Sequence, residues 1–142
     1  MNTLRYFNFG TAQPVLLLLA RFLLIFLFLL FGFPKLTGFE GTVQYMQMLH
    51  APLPMLSALI AVFTEVFLGL AILVGFYTRP IAFILALYTI GTAFIGHAFW
   101  HSTGDMMADM NTKIHFFKNM SIAGGFLLLA VAGPGTLSLD KK

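Results

Sequence analysis

Apolar residues run along this chain in four long blocks, covering about residues 15–33, 55–77, 80–100 and 115–133. Each block approaches the ~20 residues an α-helix needs to cross ~30 Å of hydrocarbon. A bilayer core offers no water to stray backbone N–H and C=O groups, so such runs must be helical. A transmembrane β-barrel would show ~10-residue segments of alternating polarity, and that pattern is absent. The expected fold is therefore an all-α integral membrane protein, an antiparallel four-helix transmembrane bundle. The first block is too long for a secretory leader and carries Arg21. It is followed by Pro34-Lys35-Leu36-Thr37 and no small-x-small cleavage site, so it is expected to remain as a helix.

The connections differ in kind. Residues 34–54 hold Gly38, Gly41, Pro52 and Pro54, and within them 42–49 reads as a short amphipathic helix with Val43, Met46 and Leu49 on one side. Between the second and third blocks only Thr78-Arg79 precedes Pro80, which predicts a tight antiparallel hairpin with proline in the first helical turn. Residues 102–114 form a polar connection, and Gly133-Pro134-Gly135 ends the fourth helix.

Composition supports this class. Of 142 residues 59% are hydrophobic and 9% charged, against about 25% charged in a soluble domain. The formal net charge of +3 comes from basic residues set singly near helix ends, so nucleic acid is excluded as a partner and the lipid bilayer is the expected one. With no cysteine there is no disulfide, thiolate metal site or Cys nucleophile. Arg5, Arg79, Lys141 and Lys142 fall on the side of the termini, against Lys35, Lys113 and Lys118 on the other. That asymmetry favours both termini in the cytoplasm.

Two groups of residues carry candidate chemistry. Arg21 and Glu65 lie inside the first and second blocks, where a charge costs at least ~2.5 kcal/mol on insertion scales. The two helices run in opposite directions, so the pair is expected to meet at similar depth. Glu65 also sits in a small-residue stripe with Ser57, Ala61 and Gly69, suited to close packing. Such a pair serves either as a structural ion pair or as a ligand, proton or quinone contact. The second group is His97, His101, His115 and Lys118, expected to converge with Lys35 at the mouth away from the termini as a ligand pocket. His97 and His101 are spaced i, i+4, which suits one face of a helix, but no fixed third ligand accompanies them and no metal is assigned. Trp and His are also ordinary at headgroup level. No Ser-His-Asp order, phosphate loop or dinucleotide fingerprint is present, and no cofactor is evident from the residues.

Several short motifs stand in order along nearly the whole chain. They are Ala20-Arg21, Phe31-Gly32-Phe33-Pro34-Lys35, Gly41-Thr42 with Tyr45, and Glu65 with Leu68-Gly69. Then follow Gly75-Phe76-Tyr77-Thr78-Arg79-Pro80 and Ala132-Gly133-Pro134-Gly135 with Ser138-Leu139-Asp140. In these the chain resembles the DoxX family of small four-helix membrane proteins, most of all its inner-membrane members from enteric bacteria. The resemblance implies a single transmembrane domain over residues 1–142 in a bacterial inner membrane. Some family members are membrane subunits of thiosulfate:quinone oxidoreductase, so it also implies a quinone and a membrane redox partner protein. Many members have no assigned activity, and fold does not fix reaction. Two functions therefore stand side by side: a quinone-linked membrane subunit of an oxidoreductase, and a non-catalytic scaffold, assembly factor or small-ligand binder. A homo-oligomer fits either. A transporter built from one such unit would have to oligomerise.

Overall fold

The computed structural model describes residues 8–141. Arg5 and Lys142, which entered the charge asymmetry, lie outside the described residues. Helix α1 (Gln13–Thr37) is followed by a short α2 (Phe39–Met48). Then come α3 (Pro54–Val74), α4 (Thr78–Gly96) and α5 (Met106–Ala132). No strand occurs among the described residues. Helices α1, α3, α4 and α5 are long and apolar enough to span a bilayer, and their short connections run them alternately up and down.

Several boundaries depart from the hydropathy pattern: α1 runs on through Pro34 to Thr37, four residues past its block, and α3 ends at Val74, three before its own. Helix α4 stops at Gly96, four residues before the apolar block does. Helix α5 begins at Met106, well before its block, because Asp105 caps it by accepting from the N–H groups of Met107 (2.9 Å) and Ala108 (3.4 Å). Its first turns are polar yet helical, since polarity sets where a helix leaves the hydrocarbon and not where it ends. The expected helix at 42–49 is α2.

Leucine and phenylalanine side chains on the outer faces of α1, α3, α4 and α5 are exposed, as lipid-facing surface should be. The core is small: Ile25, Ile72, Ala82, Leu85, Ala86, Ala123, Phe126 and Leu129. Phe28 of α1 meets Phe126 of α5 edge to face at 5.4 Å. Helix α4 packs most extensively on α5, and α1 lies chiefly on α3. Between α1 and α5 the bundle opens into an apolar cleft of about 450 Å³ lined by Leu17, Leu24, Leu27, Gly125 and Leu128.

The side of the termini is closed by polar contacts to helix ends. Gly75 adopts φ +72° and ends α3 with the Phe76 N–H on the Ala71 carbonyl at 2.9 Å. A Cβ there would collide with Arg21 and Ser138. The C-terminal tail then pairs with this turn, Leu139 N–H to Val74 C=O at 3.0 Å and Asp140 N–H to Gly75 C=O at 2.9 Å. The Asp140 carboxylate accepts from the N–H groups of Tyr77 (3.0 Å) and Thr78 (2.9 Å), supplying partners to the unpaired start of α4. Arg79 donates to the carbonyls of Ala130, Val131 and Ala132 and caps the end of α5, where the helix dipole favours a cation.

The Thr78 N–H, and with it that of Tyr77, holds the Asp140 carboxyl below the usual carboxylate range against the opposing effect of burial. A carboxylate whose folded value is depressed adds stability above its unfolded value of about 3.9, and that stability is lost as pH falls through the folded value. Asp140→Asn should lower stability in mild detergent at pH 7 by about 1 kcal/mol, the usual worth of such a cap. The difference from wild type should vanish on acidification. Thermal melting across pH measures both effects.

Candidate functional site

Arg21 and Glu65 do not pair. Glu65 accepts instead from Lys35, whose ammonium lies 2.6 Å and 2.7 Å from the two carboxylate oxygens, and from the Tyr88 hydroxyl at 2.8 Å. The reason is side-chain direction. Each helical Cα–Cβ bond tilts toward the N-terminus of its helix. Arg21 therefore leans toward the side of the termini, while Glu65, on the oppositely directed α3, leans away from it. Lys35 sits near the C-terminal end of α1, so the same tilt carries its ammonium inward, toward Glu65. Residue depth alone suggested a meeting that these directions forbid.

Local backbone features bring the three groups together. Phe63–Leu68 is a turn of π-helix within α3, and Glu65 lies in it. Such turns recur at functional sites. On the facing α1, Gly32 leaves no room for a side chain: a Cβ would come within 2.9 Å of the Glu65 Cβ. Pro34, inside α1, has no N–H to give the helix ladder. Buried Thr42 bridges α2 to the end of α1 by donating to the carbonyls of Lys35 (3.1 Å) and Gly38 (3.2 Å). Glu65 is 7% exposed, whereas the Lys35 side chain remains 26% exposed. The site is thus a buried acid reached through a partly open cation. A lysine has three N–H donors, and the carboxylate takes two of them.

Arg21, fully buried, serves the other end. It donates to the carbonyls of Ile72 (3.3 Å) and Leu73 (3.0 Å) at the end of α3, and to that of Leu137 in the tail. Arg21 is thus a cap and a tether within the terminal cluster, not a member of the Glu65 site.

The histidine group assembles in part. His97 and His115 face each other with ring centres 5.3 Å apart, and the Lys118 ammonium lies 3.0 Å from His115 Nδ1. His101 does not share a helix face with His97, because α4 has ended and the chain turns, with the His101 N–H on the Ala98 carbonyl at 3.1 Å. Lys35 is held by Glu65 and does not join the histidines. Among the described residues no group of three or more His, Cys, Asp or Glu side chains is placed to hold a metal ion. Tyr88, Thr42, Arg79 and Asp140 also make side-chain contacts that residue type and spacing did not mark. Thr42, Arg79 and Asp140 stood in the motifs already quoted, while Tyr88 looked like one more aromatic residue.

Comparison with known proteins agrees with this architecture. The DoxX family model matches residues 16–98. The chain is 57% identical to the inner membrane protein YphA of Escherichia coli over the whole of both chains. It is 42% identical to the inner membrane protein YqjF of the same organism, over 91% of this chain and 92% of that one. A fission-yeast surfeit locus protein 4 homolog is 32% identical over half of this chain and 24% of its own length. No solved structure matches.

The two polar ends should respond separately. Arg21→Gln should speed amide exchange at Leu139 and Asp140 at least about tenfold, given the 1.5–3 kcal/mol net worth of a hydrogen bond to a charged group. Tyr88→Phe should leave those two amides unchanged. Hydrogen–deuterium exchange in detergent or nanodiscs reads both.

Proposed function

The chain belongs to the DoxX family of inner-membrane proteins, and from that premise we propose that it is a quinone-linked membrane subunit of an oxidoreductase. The observation that carries this reading is Glu65, a buried carboxylate with a basic and a phenolic partner inside the bundle. A quinone, when bound, carries electron pairs and protons within the membrane. The residues present fit that group. Lys35 is partly open on its outer side and keeps one N–H for a ligand carbonyl. Glu65 fixes the ammonium in place, and Tyr88 donates to the same carboxylate, so the three groups lie within hydrogen-bond reach for a proton to pass. Electrons come from a partner protein, since the role proposed for this chain is binding and proton handling. Both termini lie in the cytoplasm, which places the Lys35 end toward the opposite face.

A non-catalytic role, as scaffold, assembly factor or small-ligand binder, has its own support: every oxygen of the Glu65 carboxylate already has a partner within the chain. Purification in mild detergent followed by extraction and quantification of quinone separates the two. The first reading predicts nearly one quinone per chain and its loss in Lys35→Met. Absence of quinone from wild type, with a protein partner recovered instead, supports the second. Quinone retained equally by wild type and Lys35→Met contradicts the site assigned here.

A further inference from the structure

Outside the Glu65 site, the ionisable group formed by His97, His115 and Lys118 has no part in the function above. Its level in the membrane follows from helix length. Helix α5 has 27 residues, about 40 Å at 1.5 Å per residue, and so exceeds the ~30 Å hydrocarbon thickness. About 20 residues counted back from Ala132 reach the neighbourhood of His115, which places its ring at the headgroup boundary. Helix α4 ends at Gly96, so His97 lies at the same boundary. Trp100 is exposed beside it and contacts Phe116, with ring centres 6.0 Å apart, as in an interfacial aromatic belt. Lys118 lies one turn deeper, and its side chain leans back toward the N-terminus of α5, up to His115.

The chemistry of the group is one-sided. The Lys118 ammonium donates to His115 Nδ1 at 3.0 Å, which leaves the ring proton on Nε2 and two ammonium N–H groups to spare. Among the described residues no carboxylate forms a salt bridge with the Lys118 ammonium. Glu65 is held by Lys35 and Tyr88. Asp109 is held by Thr103, with its backbone N–H and its hydroxyl each at 2.8 Å. Asp105 caps α5, and Asp140 lies at the far end with α4's first turn. Burial, and then the neighbouring His115 and Lys118, hold His97 below its ordinary value.

We propose that His97, His115 and Lys118 form a phosphate-binding site at the headgroup level between α4 and α5, taking either the phosphodiester of an anionic phospholipid or a free phosphate ion. A phosphate oxygen accepts from a free N–H of the Lys118 ammonium, which His115 orients by accepting at Nδ1, and His97, its ring centre 5.3 Å from that of His115, closes the second side. Such charge-assisted hydrogen bonds are the strong class. The site is independent of quinone binding, because Lys35 and Glu65 take no part in it.

The test uses the full chain in mild detergent, analysed by native mass spectrometry with phosphatidylglycerol, phosphatidylcholine and inorganic phosphate as probes. Wild type should retain phosphatidylglycerol in preference to phosphatidylcholine. His115→Asn combined with Lys118→Gln should weaken that retention about tenfold, the scale of losing a charge-assisted hydrogen bond. Lys113→Gln, on the same helix but outside the group, should not. Inorganic phosphate that displaces the lipid identifies the free ion as a ligand, while failure to displace it identifies the headgroup. In either case His97, followed by NMR, should titrate at higher pH with the ligand present. Should the double variant fold poorly, the single exposed-residue variant Lys118→Gln carries the same comparison. Equal phosphatidylglycerol retention by wild type and Lys118→Gln, with no movement of His97, overturns the proposal. Quinone content, measured on the same samples, reports on the other site alone.

Discussion

A carboxylate inside hydrocarbon has to be paired, neutralised or reached by water, and the arrangement around Glu65 answers that need by pairing. Lys35 comes from the far end of α1 and Tyr88 from the middle of α4, so one acid ties three of the four spanning helices. Between apolar helices in lipid there is little hydrophobic drive to associate, and packing plus polar contacts must supply the rest. The close approach of α1 and α3 at Gly32 and the π-turn at Phe63–Leu68 lie at this carboxylate, and Thr42 holds the end of α1 that carries Lys35. Each sets a backbone so that the ammonium and the carboxylate meet.

The opposite end uses charge in another way. Arg21, Arg79 and Asp140 serve backbone groups that helix termini leave open: carbonyls at the ends of α3 and α5, N–H groups at the start of α4. The tail residues Leu137, Leu139 and Asp140 are drawn into the same cluster. The bundle is therefore fastened at both ends by polar contacts around a small core of isoleucine, leucine, alanine and phenylalanine. The α1–α5 side, which neither fastening crosses, is where the apolar cleft opens.

Hydropathy alone located the four spanning helices, the α3–α4 hairpin and the short α2, because length and polarity are what a bilayer selects. The partners of the buried charges were not legible in the same way. Spacing along a helix gives depth, and depth put Arg21 near Glu65; the direction of each side chain then separated them. Lys35 was expected at the mouth with the histidines, yet the tilt of α1 side chains turns it inward to Glu65. The i, i+4 spacing of His97 and His101 carried meaning only while the helix lasted, and it stops at Gly96. His115 and Lys118 did come together with His97, since both lie on one face of a helix whose start is tied to the end of α4 by a short loop. The motif residues Thr42, Arg79 and Asp140 were visible as letters, but their roles as caps needed the neighbouring helix ends to be in place.

Which cation belongs to Glu65 is decided most directly by a double-mutant cycle in mild detergent. Stability is compared for Lys35→Met, Glu65→Met and their combination, and in parallel for Arg21→Met with Glu65→Met. Contacting residues couple, whereas independent sites add within about 0.5 kcal/mol. The structure predicts coupling above about 1 kcal/mol for Lys35 with Glu65, and additivity for Arg21 with Glu65. Strong coupling of Arg21 to Glu65, with Lys35 and Glu65 additive, would contradict it.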